Sequence, residues 1–269
     1  MVRPDYDGRG MGVLMNLHFQ ERFPFLLVLG TNARSTGMLS RMFQRLPSLR
    51  CYKKLTRTGP LLEHRLGSRA LASACAVALD PLLALYHRSH HIQIPRGLVL
   101  TFERIEKFDA RIDSLCAQRG RQPTVRVRRS TEYLNWRFLD HPRWDYECHG
   151  AFSRGILLGY VVTRISGKGS DLVGKIVDWL YHPPVEAPDL PIQAILFQWA
   201  VAHLADRGVG TVYTYAYDPA AASAFDALGF VRDTAADSPF FVGSCPREFE
   251  AEVLSEQNWA LTCGDSDID

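Results

Sequence analysis

Residues 2–12, VRPDYDGRGMG, place glycines at Gly8, Gly10 and Gly12, and the chain then runs into MLHF-type apolar spacing at Met11, Leu14, Met15, Leu17 and Phe19. That spacing predicts a helix over 11–20. Glycines just before a helix let a ligand approach the backbone where a Cβ would block it. The first amides of such a helix lack intrahelical acceptors and lie at its positive dipole end, so they favour an anion.

Outward from this loop, FPFLLVLG (23–30) is a continuously apolar run bounded by Pro24 and Gly30, the mark of a strand buried on both faces. A helix is predicted from about Arg34 to Leu46, with Asn32 and Ser35 as candidate caps, and a strand at 49–57. Residues 59–95 read as a helical connector, followed by a strand at 97–105, a helix at 108–120 and a helix over STEYLNWRFLDHP (130–142) that must stop before Pro142. The second half reads as an antiparallel meander at 146–152, 154–165 and 171–182. A helix then covers about 192–207, a strand 211–217, a helix 220–230 and a strand 238–244. The acidic segment after 246 is expected to be mostly exposed.

The loop closely resembles the coenzyme-binding signature of the GNAT N-acyltransferase superfamily, V-x-P-x-Y-R-G-K-G-x-G. The order meander, helix, strand, helix, strand resembles the α+β core of the same family. The resemblance implies an α+β, GNAT-like mixed sheet with flanking helices: one complete unit plus the C-terminal half of another, as in bacterial tandem GNAT proteins. The divisions are a partial unit at 1–58, truncated at its N-terminus, a helical connector at 59–96, a complete unit at 97–245 and an acidic tail at 246–269. By the same resemblance, acetyl-CoA or another acyl-CoA is the co-substrate. Gly8, Arg9, Gly10, Met11, Gly12 and Asn32 would bind it, and an amine, not identified, would accept the acyl group.

Several positions depart from the family pattern. Asp7 stands where Arg or Gln is usual, and Leu39 falls at the position of a proton-donating Tyr. In the 97–245 unit, HPPVEAPDLPIQAIL (182–196) replaces the coenzyme loop: Glu186 takes the Arg/Gln position, and Asp189 and Pro191 fall at two glycines. Those acids would oppose phosphate, and Pro191 has no N–H to donate. Phe225 occupies the second Tyr position, whereas Leu228-Gly229-Phe230 matches the family. Asp178 and Tyr181, on the strand that borders the thioester in active members, are the candidates for acid or base work there. Asp178, after apolar Ile176 and Val177, also reads as a packed, hydrogen-bonded carboxylate.

A net charge of +2 and a pI near 8.2 are far from the basic balance of a general nucleic-acid binder. This also counts against a Fem-like aminoacyl transferase, which would need a basic groove for tRNA. The six cysteines are dispersed without a CxxC pair, which gives no zinc site and fits a reducing cytoplasm. His87, His90 and His91 lack ligands at metal spacing and read as part of a solvated connector. Arg126, Arg128 and Arg129 in VRVRR read as the wet face of an edge strand. Trp136, Phe138 and Leu139 read as docking their helix on the sheet. LASACAVALDPLLALY (71–86) is broken by Asp80 and Pro81, so no membrane span is expected. The alternative to an enzyme is a GNAT-fold binding or structural protein, supported by the absent tyrosines and the acidic replacement loop.

Overall fold

The computed structural model describes residues 10–31, 33–95, 98–118, 125–169, 171–184 and 187–266. Gly8, Arg9 and Asn32 of the proposed coenzyme set lie outside them.

The meander forms as its alternation dictates. Strands β1 (Leu27–Leu29), β2 (Gln44–Leu55), β3 (Thr101–Arg104), β4 (Val125–Arg126), β5 (Tyr146–Ser153), β6 (Ile156–Ser166), β7 (Val173–Tyr181), β8 (Thr211–Tyr217), β9 (Val231–Arg232), β10 (Ser238–Val242) and β11 (Trp259–Thr262) join in one sheet. Its main path is β1-β10-β2-β8-β7-β6-β5-β3. All neighbours on that path are antiparallel except β7 and β8, which are parallel because helix α7 (Ile192–Asp206) carries the chain back across one face.

α7 and α8 (Pro219–Ala227) cover that face, where Phe197, Phe225 and Trp179 pack ring on ring. Phe197 and Phe225 stack with centroids 4.4 Å apart and planes 13° apart. The other face is covered by α5 (Ala110–Gln118) and α6 (Thr131–Leu134), whose Ile112, Leu115 and Leu134 meet Tyr160, Val162 and Leu180. Ser130 caps α6 by accepting from the Tyr133 amide at 3.2 Å. A wider π-turn at 135–139 then buries Phe138 and Arg137. Trp136, expected to dock on the sheet, is instead 66% exposed, because the wider turn rotates it away from the face that Phe138 fills.

The N-terminal segment departs most from expectation. Helix α1 (Met11–Arg22) forms with no buried residue, and α2 (Ala33–Met42) ends before Leu46. β2 begins at Gln44 and passes straight through Pro47. It can do so because β10 shifts register between Ser238 and Phe240, the stretch facing Pro47, so no ladder bond needs the missing N–H. The run 23–30 supplies only a three-residue strand, half-buried at the sheet's end, instead of one covered on both faces.

The connector folds as α3 (Gly59–Leu66) and α4 (Arg69–Ser89). Ser68 caps α4, and Asp80 turns inward to accept from the Thr58 amide and hydroxyl at 2.9 and 2.7 Å. Among the described residues α4 is the one helix long and apolar enough to cross a membrane by length and composition, and 6% of that window is buried. Its C-terminal end docks on α8: Tyr86 donates to the Gly229 carbonyl at 3.2 Å, and a Cβ at Gly229 (φ +71°) would lie 2.9 Å from that hydroxyl.

The segment expected to be an exposed tail is built into the sheet. Trp259, Leu261 and Cys263 are buried, and β11 pairs with both β8 and β4. Its composition is acidic, but the apolar WALTC run within it alternates like any buried strand.

Candidate functional site

The parallel ladder of β7 and β8 is short. It runs from Val173 opposite Thr211 to Ile176 opposite Thr214. There a bulge in β7, where Val177 has no opposite residue on β6, bends the strand away from β8. Beyond the bulge the carboxyl ends of the two strands part, and the amino ends of α7 and α8 flank the opening. A crevice at the carboxyl ends of parallel strands is where open α/β sheets bind ligands.

Two cavities occupy this crevice. The inner one, about 260 Å³, is lined by Cys116, Arg126, Arg129, Trp179, Asp218 and Thr262. The outer one, about 820 Å³, lies against Tyr181, His182, Asp189, Gln193, Asp218 and Trp259. At the start of α7, Pro191 provides no side-chain cap, and the Ile192 amide donates to the Leu190 carbonyl at 2.7 Å. Gln193 on the same turn is 5% exposed, and its Nε2 has no hydrogen-bond partner. The start of α8 differs: the Asp218 carboxylate accepts from the amides of Ala220 and Ala221, filling that anion position itself.

The crevice is also plugged by the chain's own C-terminal segment. Leu261 and Thr262 pair with Tyr217 and Ala216 on the edge of β8 that β7 has vacated. The Cys263 sulfur accepts from the Tyr215 amide at 3.1 Å and lies 3.5 Å from the Ile176 carbonyl oxygen, bridging the two parting strands. Gly264 follows in a space only glycine fits, since a Cβ there would be 2.9 Å from Phe138 Cζ and 3.1 Å from Asp178 Cβ. Arg137 holds the turn from the other side by donating to the Gly264 and Ser266 carbonyls at 3.1 and 2.9 Å.

Asp178 belongs to this plug and not to an acid–base pair. It is fully buried, and its carboxylate accepts from Arg129, from the Tyr160 hydroxyl at 2.8 Å and from the Thr262 hydroxyl at 2.7 Å. With every oxygen engaged and no opening to solvent, it is a structural carboxylate, as the apolar residues before it implied. Arg129 is likewise not on a wet strand face. Its guanidinium spans Asp178 and Asp265, with contacts of 2.7 Å to each. Burial works against the charge, but the two carboxylates hold its pKa well above the usual arginine value. Burial pushes the Asp265 carboxyl up, against the pull of Arg129. Tyr181 stays at the wall of the outer cavity, half-buried.

The proposed coenzyme loop is described from Gly10 onward. Gly10 caps α1 in the left-handed region (φ 72°) with no side-chain hydrogen bond, and a Cβ there would meet nothing within 4 Å. Met11 opens the helix, and Gly12 faces Met38 of α2, whose sulfur would be 3.8 Å from a Cβ. Among the described residues no side chain caps the first turn of α1.

Among solved structures, the chain superposes on a GCN5-related N-acetyltransferase from Anabaena variabilis ATCC 29413 with a TM-score of 0.54, at 12% identity, over 90% of this chain and 52% of that one. The fold is that of the GCN5-related N-acetyltransferases. A probable N-acyltransferase from Enterococcus faecalis V583 aligns at 11% identity and TM-score 0.49, over 89% of this chain and 51% of that one. A tandem GNAT protein from the clavulanic acid biosynthesis pathway aligns at 16% and 0.48, over 91% and 74%. The chain thus spans about half the length of the Anabaena and Enterococcus proteins. No protein-family model and no curated protein sequence matches it.

The meander and the helix that ends at Leu228-Gly229-Phe230 were visible in the sequence. The plug was not. Its one signal was the apolar alternation of 259–263 inside an acidic segment.

Proposed function

We propose that the chain acts in acyl transfer from acyl-CoA, acetyl-CoA in the simplest case, to an amine, with the coenzyme phosphates on the amides of the Gly8–Gly12 turn. The observation that carries this reading is the uncapped start of α1 at Gly10, with a left-handed backbone and free space where a side chain would stand. Arg9 and Asn32 join the set from the sequence pattern. In such a reaction the unprotonated amine attacks the thioester carbonyl, and backbone amides stabilise the oxyanion. The six free thiols accord with a reducing cytoplasm as its setting.

The test is thermal unfolding with acetyl-CoA. At a hundredfold excess over Kd, binding adds about 2.7 kcal/mol of stability, a rise of roughly 5–10 °C. Gly10→Val with Gly12→Trp should abolish it. A parent protein that shows no shift would sink the reading.

A second reading, a GNAT-fold binding protein without transfer, is favoured by one observation: β11 and the turn after it occupy the crevice of the 98–266 region. It predicts that acetyl-CoA is neither bound nor hydrolysed by the chain.

A further inference from the structure

On the far side of β2 from the crevice, α4, α7 and the end of α8 enclose a chamber of about 220 Å³. Its base is Lys54 of β2, which is 7% exposed. The ammonium donates to the Leu228 carbonyl and sits 5.9 Å from the Tyr86 ring and 5.8 Å from the Phe230 ring. Among the described residues no carboxylate pairs with it, and the chamber wall contains no acidic side chain. The contrast with Lys53 next to it, held by Asp233 at 2.9 Å, is plain.

A buried cation without a counter-charge is costly to the fold. Burial accordingly pulls the Lys54 pKa down to about 8, which still leaves the amine mostly protonated at neutral pH. His87 lies in the same wall. Its Nε2 is buried with no hydrogen-bond partner among the described residues, and burial and Lys54 lower its pKa while a hydrogen bond to the Leu55 backbone raises it. The wall also contains the apolar side chains of Val201, Ala202, Ala205 and Leu228, together with Thr56, His90, His91 and Gln198.

We propose that this chamber is a binding site for a small organic monoanion, a carboxylate with a short apolar tail. The carboxylate oxygens accept from Lys54 Nζ, and the tail lies on the aliphatic side chains of α7. The volume is below that of pockets for drug-sized ligands, which restricts the occupant to a few carbons beyond the carboxylate. The site is separate from the crevice and from the α1 loop, so it stands whether or not the chain transfers acyl groups.

The experiment is calorimetric titration of the full chain with butyrate and benzoate, against butyramide and benzamide as neutral matches. Saturable carboxylate binding is expected, with the amides weaker by about tenfold or more. Lys54→Met should remove the preference without lowering the unfolding temperature. As a check on the wild-type chain, acetylation of Lys54 by acetic anhydride, read by peptide mass spectrometry, should slow about tenfold under saturating benzoate. The exposed Lys107 should react as before. Absence of carboxylate binding, equal binding of the amides, unchanged binding by Lys54→Met, or no protection of Lys54 would each overturn the proposal.

Discussion

Replacing Arg129 by methionine tests whether the C-terminal plug is held by charge. In the native chain one guanidinium, 7% exposed, serves two buried carboxylates, Asp178 and Asp265, at 2.7 Å each. Methionine fills similar volume but leaves both acids without a cation. Removing one partner of a buried ion pair costs about 3–5 kcal/mol, a large part of a typical stability of roughly 5–15 kcal/mol. For a chain of this size that corresponds to a drop of roughly 10 °C in Tm. The loss should depend on pH with a definite sign. Without the pull of Arg129, burial alone acts on Asp265 and holds its folded-state pKa above the unfolded value of about 4. The native state then binds more protons than the unfolded state, so stability falls as pH rises through that window and recovers as pH falls. Urea denaturation followed by circular dichroism at about pH 7.5 and about pH 5.5 should show the deficit against wild type shrinking at the lower value. Adding Asp265→Asn should restore part of the loss at the higher one. A deficit below about 1 kcal/mol, the range of a surface pair, or one indifferent to pH, would refute the account of the plug as an ion-paired closure.

Gly264→Val should destabilise by about 1–3 kcal/mol through overpacking against Phe138 and Asp178, and limited proteolysis should find the segment after 255 released. Phe225→Ala, at a fully buried ring that touches Tyr52, Trp179, Phe197 and Phe230, should cost about 3–5 kcal/mol in urea denaturation. Lys54→Met should stabilise the ligand-free chain near neutral pH. The folded pKa of about 8 lies below the ordinary 10.5, so wild-type stability rises with pH between those values while the variant's does not. Discounted for partial solvation, the difference is about 1 kcal/mol, and parallel denaturation curves at both ends of that window would count against it.

What could be read from the sequence was local and periodic. The meander announced itself through its strand pattern and turn glycines, α7 through its apolar length, and α8 through the apolar run 220–230 closed by Gly229. Three features needed the folded chain. The strand expected at 49–57 begins instead at Gln44, and the register shift in β10 removes the need for an N–H at Pro47. Asp178 stands beside Ile176 and Val177 whether it is catalytic or structural; only the arrival of Arg129 and Thr262, from distant stretches, decides which. The role of 259–265 depends on a gap that exists only because β7 bulges at Val177, and no pattern within that segment encodes the gap.

The position of β2 has a consequence for biosynthesis. It is an interior strand of the sheet, yet its neighbours β8 and β10 come from residues 211–217 and 238–242. On a ribosome adding about 5–20 residues each second, the Gln44–Leu55 segment waits roughly ten seconds or more with both edges unpaired before its partners emerge. During that interval Leu46, Leu49, Cys51 and Tyr52, all buried in the finished sheet, have no native surface to meet. The yield of folded chain should therefore respond to translation speed and to holding chaperones more than its final stability would imply.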